Sequence, residues 1–553
     1  MSTLLPGRRR AAQVWCAVAV LAAAATGCGG GKTPAPASGS ASTGGILSVG
    51  VTASLGRMTS LNPLADNLYG SWIARQLIYP ALVQLNGTKL EPSWATKWDV
   101  SGGGRVYTFH LQPGTWSDGK PLTAHDAAWT AEFELKNAGG AAGLVSFALE
   151  GIKSVKAVDD TTLVVTYAEP VAESVLTLLA NFHVLPKHVY EPHAGGDGSK
   201  VLAFRPEDKL PVVSGGPFTV TEFAGDGTTI FEPNKGYFGA KPKVGAVGLQ
   251  VFQNDEGLAQ ALRAGTVAWG YGGGSAVAAS VKGSAGLDVV TSPSQEVALL
   301  NVNTNPKKPD HPELREVRVR EAMSLALDRA QLVEVVLNGY GRPGRSVLAP
   351  FQDEWIPKDL QPDAHDPAAA NKILDDLGYK RGSDGVRRTP KGERMAYEVV
   401  VWKEISRVAE ILQKNLAEIG VELKPDIASD YTAAVTAPEG KYLDFDLAYS
   451  YWTLSPDPGG MLRVYSCDSW GSVNFAGFCD KDFDALLNKQ RGMLDPAERA
   501  GAVATLQKTL LRDTRAVLPL YHAETVHVVR KGWAGIETQR FGPGLWTQIQ
   551  QGS

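Results

Sequence analysis

The sequence predicts an α/β fold, and two features carry that prediction. From Gly45 onward, short runs rich in β-branched residues alternate with amphipathic stretches of helical period, and clusters of Gly and Pro separate them. No fixed-period repeat runs through the chain, which sets aside solenoids and propellers. With 553 residues and 44% hydrophobic side chains, there is material for two or three packed units.

The chain opens with a segment that is not expected to join the fold. Arg8, Arg9 and Arg10 precede a stretch from Ala11 to Ala25 that is apolar apart from Gln13, the layout of a secretory signal. The stretch is shorter than the roughly 20 residues of a membrane-spanning helix. Three adjacent arginines leave the general secretory and twin-arginine routes both open. Ala25-Thr26-Gly27-Cys28 resembles a bacterial lipobox, with Ala25 where leucine is usual. On that reading residues 1–27 are removed and acylated Cys28 anchors the protein outside the cytoplasmic membrane. A plain signal peptide with an unmodified cysteine is the alternative. Residues 28–45 then form a flexible tether, because Gly29 to Gly45 has almost no large apolar side chain to offset the entropy of ordering. Gly31-Lys32-Thr33 ends like a phosphate-binding loop, but Thr26 stands where that motif needs its first glycine.

Removing the signal takes away three arginines and no acid, moving the formal charge from −4 to −7. A mildly acidic surface argues against nucleic acid as a partner. No later apolar run approaches a membrane span, so attachment is expected through the lipid anchor only. Of four cysteines, Cys16 leaves with the signal and Cys28 takes the lipid, so Cys467 and Cys479 remain as a candidate disulfide in an exported chain. Such a short loop is worth about 3 kcal/mol through the unfolded state; a reduced pair is the alternative.

The elements follow in order. Gly45 to Val51 reads as an opening strand buried on both faces. Val106 to Leu111 alternates, with Tyr107, Phe109 and Leu111 on one face. Thr123-Ala124-His125-Asp126 has the form of a capping box, so a helix is expected from Ala124 to the Gly139-Gly140 stop. Asp310 and Pro312 announce a helix carrying Val319, Ala322, Met323, Ala326, Ala330 and Val333 and ending at Asn338-Gly339. Asp366-Pro367 starts another that ends at Gly378, and Ala409 to Ile419 forms a third, stopped by Gly420.

The motifs carry a resemblance. Tyr107 to Leu111, then Trp116-Ser117-Asp118-Gly119-Lys120-Pro121-Leu122-Thr123-Ala124-His125-Asp126, resembles the signature of the peptide/nickel solute-binding family. Leu185-Pro186-Lys187-His188, Gly216-Pro217-Phe218 with Asn234, Tyr237 and Lys241-Pro242, Val319-Arg320-Glu321-Ala322 with Ala326-Leu327-Asp328-Arg329, and Asp446-Leu447, Trp452, Asp457-Pro458 and Asn474 follow in the family's order. The resemblance implies a two-lobed, periplasmic-binding-protein-like α/β fold with a subdomain inserted in the first lobe. The first lobe would comprise residues 46–82, 205–298 and 516–553, with 83–204 inserted, and the second 299–515. Ala298 to Asn303 and Val517 to His522 would be the hinge strands. It also implies a monomeric solute-binding protein that delivers its ligand to the permease and ATPase subunits of an ABC importer.

Chemistry is not expected. The chain after the signal holds no G-x-S-x-G, no H-E-x-x-H and no phosphate loop, so no catalytic residue, cofactor or metal is assigned. A secreted, lipid-anchored hydrolase stands as an alternative without positive residue evidence. Asp118 reads as turn chemistry ahead of a helix cap, Arg320 and Asp328 as structural, and His183, His188 and His193 as loop histidines, although the resembling family includes nickel binders.

Ligand contacts are implied by local matching to oligopeptide binders, which sandwich an extended ligand between lobes. The matching positions are Asn67, Leu68 and Tyr69, then Tyr271, Tyr431, and Tyr449 to Trp452. Three residues after Trp452, peptide-binding relatives carry an aspartate for the ligand's ammonium group; here the residue is Ser455, and Tyr449 replaces an arginine. A hydroxyl cannot neutralise a buried cation, so either Asp457 takes over or the ligand lacks a free amino terminus. The expected cargo is an oligopeptide or dipeptide, with a sugar, metal chelate or apolar metabolite as the alternative.

Overall fold

The computed structural model describes residues 45–65, 69–138, 146–195, 198–271, 274–436, 443–536 and 540–552. The export signal, Cys28 and all of the tether before Gly45 lie outside the described residues, as do Asn67 and Leu68. The opening strand, Ile46–Thr52, lies parallel to Ala246–Phe252 on one side and to Trp269–Gly270 on the other. Flanked on both sides, it buries Leu47, Val49 and Val51.

These strands belong to a 12-stranded mixed sheet that passes through the whole body. At its middle is the 14-residue strand Val517–Arg530. Val517 to Tyr521 pair antiparallel with Glu296–Val302, which continues to Leu447–Thr453 and Ala396–Trp402. Glu524 to Arg530 instead pair with Leu287–Pro293, and Val528 and Val529 reach Gly270 and Trp269. One strand therefore feeds separate cores: Leu518, Leu520 and Tyr521 pack with residues between Ala298 and Leu447, while Val529 packs with residues from Leu47 to Trp269. Val526 and Val528 close a small satellite with Leu258, Leu262 and Val277. Two bodies of core on a shared strand make the fold two-lobed.

A second, antiparallel sheet of Ala95–Ser101, Val106–Leu111, Thr162–Tyr167 and Ile152–Asp159 lies within the first body. The alternation in Val106–Leu111 is realised, with Tyr107, Phe109 and Leu111 buried and the intervening residues half-exposed. The helix after it, Ala124–Lys136, carries the expected capping box, Thr123 N–H donating to Asp126 Oδ2 at 2.9 Å. It stops before the glycines because the Asn137 side chain caps it, donating to Phe133 O at 2.8 Å. The other oxygen of Asp126 accepts from Lys187 N at 3.0 Å, so one buried carboxylate joins two of the sequence motifs. Asp118 accepts from Lys120 N at 3.2 Å and from His188 Nε2 at 2.8 Å, beside Gly119 at φ 86°, a turn that needs glycine.

In the second body the helix expected to run to Asn338-Gly339 is two helices, Val317–Ala326 and Arg329–Leu337, preceded by a 3₁₀ turn, Pro312–Arg315. Leu327 is extended, and Asp328 restarts the helix by capping Gln331 N at 2.9 Å. Periodicity survives the break because both halves pack on the same core. Arg320 and Arg329 are buried and donate to the carbonyls of Thr514 and Pro519, at 2.8 and 2.7 Å, pinning the start of the long strand. The other helices run Pro367–Asp376 and Ser406–Glu418, close to expectation. Cys467 and Cys479 are joined by a disulfide with Cα atoms 4.6 Å apart.

Candidate functional site

The strand Leu447–Thr453 presents alternate side chains to different surroundings. Tyr449 is fully buried; its hydroxyl meets that of Tyr521 at 2.7 Å, so it ties two strands of the second core together rather than lining a cleft. Tyr431 is buried against it and donates to Tyr449 O. Its ring lies 4.2 Å from Trp402 and 6.0 Å from Phe475, on which Trp452 stacks at 6.0 Å. Tyr431 and Trp452 are thus brought into one aromatic group. Between them in sequence, Tyr451 donates to the Glu296 carboxylate, whose pKa burial pushes up and that bond holds down.

Tyr271 lies in the first body, 6.0 Å from Trp546 in a stacked arrangement and 4.9 Å from Trp269. His527 completes that cluster, accepting from Trp269 Nε1 at 3.2 Å, and burial lowers its pKa to about 4. Tyr69 opens the helix Tyr69–Ile78.

Ser455 and Asp457 sit in the turn between Leu447–Thr453 and the short helix Gly459–Arg463. Gln352 Nε2 donates to Ser455 O at 3.0 Å, fixing the turn. Asp457 is buried and committed: it accepts from Gly459 N at 2.9 Å and Ser174 Oγ at 3.1 Å, and Arg499 Nη2 lies 2.8 Å away as an ion pair outside hydrogen-bond alignment. A Cβ at 459 would stand 2.9 Å from Asp457 Oδ1, so glycine lets the turn approach the carboxylate closely. Arg499 is itself buried, donates to Gln490 Oε1 at 2.9 Å, and lies 5.1 Å from the Trp355 ring centroid.

Ser174 belongs to the segment that packs across from the second body, and more contacts follow it. Ala172 N donates to Arg491 O at 2.9 Å, and Glu150 holds Arg491 at 2.7 Å and Arg463 at 3.0 Å. Between these faces lies a cavity of about 200 Å³, walled by Glu150, Val175 and Leu178 on one side and by Ser455, Asp457 and Arg463 among others on the second. Ser455 and Asp457 are the sequence-expected residues that line it. Arg499, Ser174, Glu150, Arg463 and Arg491 went unnoticed in the sequence, since their partners are up to 341 residues away and no local motif marks them.

The three histidines near Lys187 do not converge. His183 is buried beside Asn181 O, with burial lowering its pKa to about 3; His188 meets Asp118; His193 stacks 4.2 Å from Phe204. Among the described residues no group of three His, Cys, Asp or Glu side chains could hold a metal ion, and no helix is long and apolar enough to cross a membrane.

Two bodies of core on a shared strand, with a walled cavity where they face each other, define a bilobal ligand-binding protein. Residues 89–472 match the bacterial extracellular solute-binding proteins, family 5 (middle), and the chain belongs to that family. It is 24% identical to the dipeptide-binding protein of Escherichia coli K12 over 504 residues, covering 84% of this chain and 87% of that one. Among solved structures it resembles the ABC transporter-associated periplasmic binding protein DppA from Helicobacter pylori in complex with peptide STSA, at TM-score 0.72 and 22% identity, over 92% of this chain and 98% of that one. NikZ from Campylobacter jejuni in complex with Ni(L-His) aligns at TM-score 0.70 and 19% identity, over 92% and 99%. These likenesses establish the periplasmic-binding-protein fold.

Proposed function

We propose that this protein is the lipid-anchored receptor of an ABC importer, which captures an oligopeptide or dipeptide between its lobes and hands it to a membrane permease without transforming it. The lobes of this reading are residues 46–82, 205–298 and 516–553, with 83–204 inserted, and residues 299–515. The observation that carries it is the cavity shared by the inserted segment and the turn at Ser455 and Asp457. A ligand there touches both lobes only when they are together, so binding shifts the population toward the closed form that a permease recognises. The peptide assignment draws on the names of the E. coli and H. pylori relatives. Acylation of Cys28 would hold the receptor, as a monomer, beside its permease.

One observation favours a second reading, the same receptor with a non-peptide cargo. Asp457 is already neutralised by Arg499, so neither it nor Ser455 offers an uncommitted negative charge to a ligand ammonium group. Native mass spectrometry of the processed protein purified from its own host, followed by denaturation to release bound molecules, separates the two. A set of peptide masses upholds the first reading, and a single non-peptide mass replaces it with the second. Turnover of an ester or peptide by the purified protein would overturn both.

A further inference from the structure

We propose that the cavity beside Ser455 selects for negative charge: it takes a carboxylate or similar anionic group of the ligand and disfavours a cationic one. The inference rests on the reading of this cavity as part of the ligand site. A charge count carries it. Arg463 and Arg491 reach the cavity from the second lobe, and both are paired to the single carboxylate of Glu150, at 3.0 and 2.7 Å. The other acid on the wall, Asp457, is matched by buried Arg499 at 2.8 Å. Guanidinium groups stay protonated, so with Arg499 counted behind Asp457 the wall and its backing hold three positive charges against two negative, one in excess.

The donors remain to use it. Glu150 meets Arg463 Nη2 as an ion pair, and its carboxylate and backbone oxygen accept from Nη1 and Nη2 of Arg491. Each guanidinium carries five N–H donors in a planar fork suited to a carboxylate. Val175, Leu178 and Leu487 supply apolar wall around them, which strengthens any charge interaction made there. About 200 Å³ admits a side chain or a terminal group, not a whole peptide. Because Glu150 comes from the inserted segment and the arginines from the second lobe, a ligand anion would add to the bridges between them. Arg463 and Glu150 are half-exposed, so each can be changed without opening a core.

The test equilibrates the processed protein with an equimolar mixture of alanine tetrapeptides, each carrying one Glu, Asn or Lys at every position in turn, isolates the complexes by native mass spectrometry and reads the masses of the peptides they release. Glu peptides should be retained at least tenfold over Lys peptides, with Asn peptides between. Arg463→Gln should narrow that preference and Glu150→Gln should widen it. Opposite changes from two variants cannot come from misfolding, and Lys372→Gln and Asp376→Asn, which alter net charge by the same amounts at an exposed pair off the cavity wall, should leave the preference unchanged; equal shifts from these two overturn the proposal. Equal retention of Glu and Lys peptides, or a Lys preference, overturns the proposal. Retention of no peptide at all defeats the peptide reading separately; glutarate and cadaverine, matched in chain length, then decide the charge rule by thermal shift. Stabilisation by glutarate alone upholds it, and stabilisation by cadaverine or by neither overturns it.

Discussion

Replacing Asp457 by Asn removes a negative charge while keeping the size and most of the hydrogen bonds of the side chain. Its partner Arg499 is 1% exposed, and Asp457 is the one ion pair it makes among the described residues. Breaking a buried pair by removing one partner costs about 3–5 kcal/mol, because the other charge stays buried and uncompensated. The asparagine can still accept from Gly459 N, so Asp457→Asn is expected at the lower end, about 3 kcal/mol. Arg499→Met leaves the carboxylate stranded and should cost about as much, whereas the double variant should lose only ~1–2 kcal/mol, since neither charge is then orphaned. Ser174→Ala removes a neutral bridge to both groups and should cost about 1 kcal/mol. Urea denaturation of the processed protein, followed by tryptophan fluorescence, gives the midpoints of all four variants. A favourable coupling below about 1 kcal/mol in the Asp457–Arg499 cycle would refute the reasoning, since it would mean that water reaches the pair.

Other expectations follow from the same coordinates. The hydrogen bond from His311 to Glu313 raises the imidazole pKa above 6.5 against partial desolvation, with Asp446 adding to the rise and Lys308 opposing it. A raised folded-state pKa stabilises fully below the unfolded value and is lost as pH rises through the folded one. The melting temperature should therefore fall more steeply as pH rises above about 6.5 in the parent than in His311→Gln. Asp126→Ala deprives Thr123 N and Lys187 N of their acceptor and should lower stability by about 2–3 kcal/mol in urea melts, with Asp126→Asn recovering part. Cys467→Ser should lose about 3 kcal/mol, and parent protein treated with reductant should match it; equal stability of parent and variant would show that the bridge adds nothing.

Much of the fold was written in local signals. The capping box at Thr123, the alternation at Tyr107 to Leu111 and the proline after Asp366 each specify an element from a few adjacent residues, and each element formed there. The break at Leu327 was hidden because the apolar spacing continues through it; only Asp328, an N-cap in mid-pattern, marks it. The site was harder to read. A two-residue period says that Tyr449 and Tyr451 share a face, not that this face is core, because the strands on either side come from residues 296–302 and 396–402. The wall around Ser455 was beyond reach for the same reason. Ser174 and Asp457 meet across 283 residues, and only the assembled lobes bring them together.

The strand at the centre of the main sheet is supplied late in the chain. Until Val517–Arg530 has emerged from the ribosome, Glu296–Val302 lacks its neighbour on one side and Leu287–Pro293 lacks the partner it has here. Neither lobe can finish its sheet from the residues that precede it, however long they wait. This connectivity acts as a delay: neither lobe's sheet is complete until a strand encoded more than 200 residues after its partners joins them. Completion of both lobes is thereby timed by where one strand happens to be encoded.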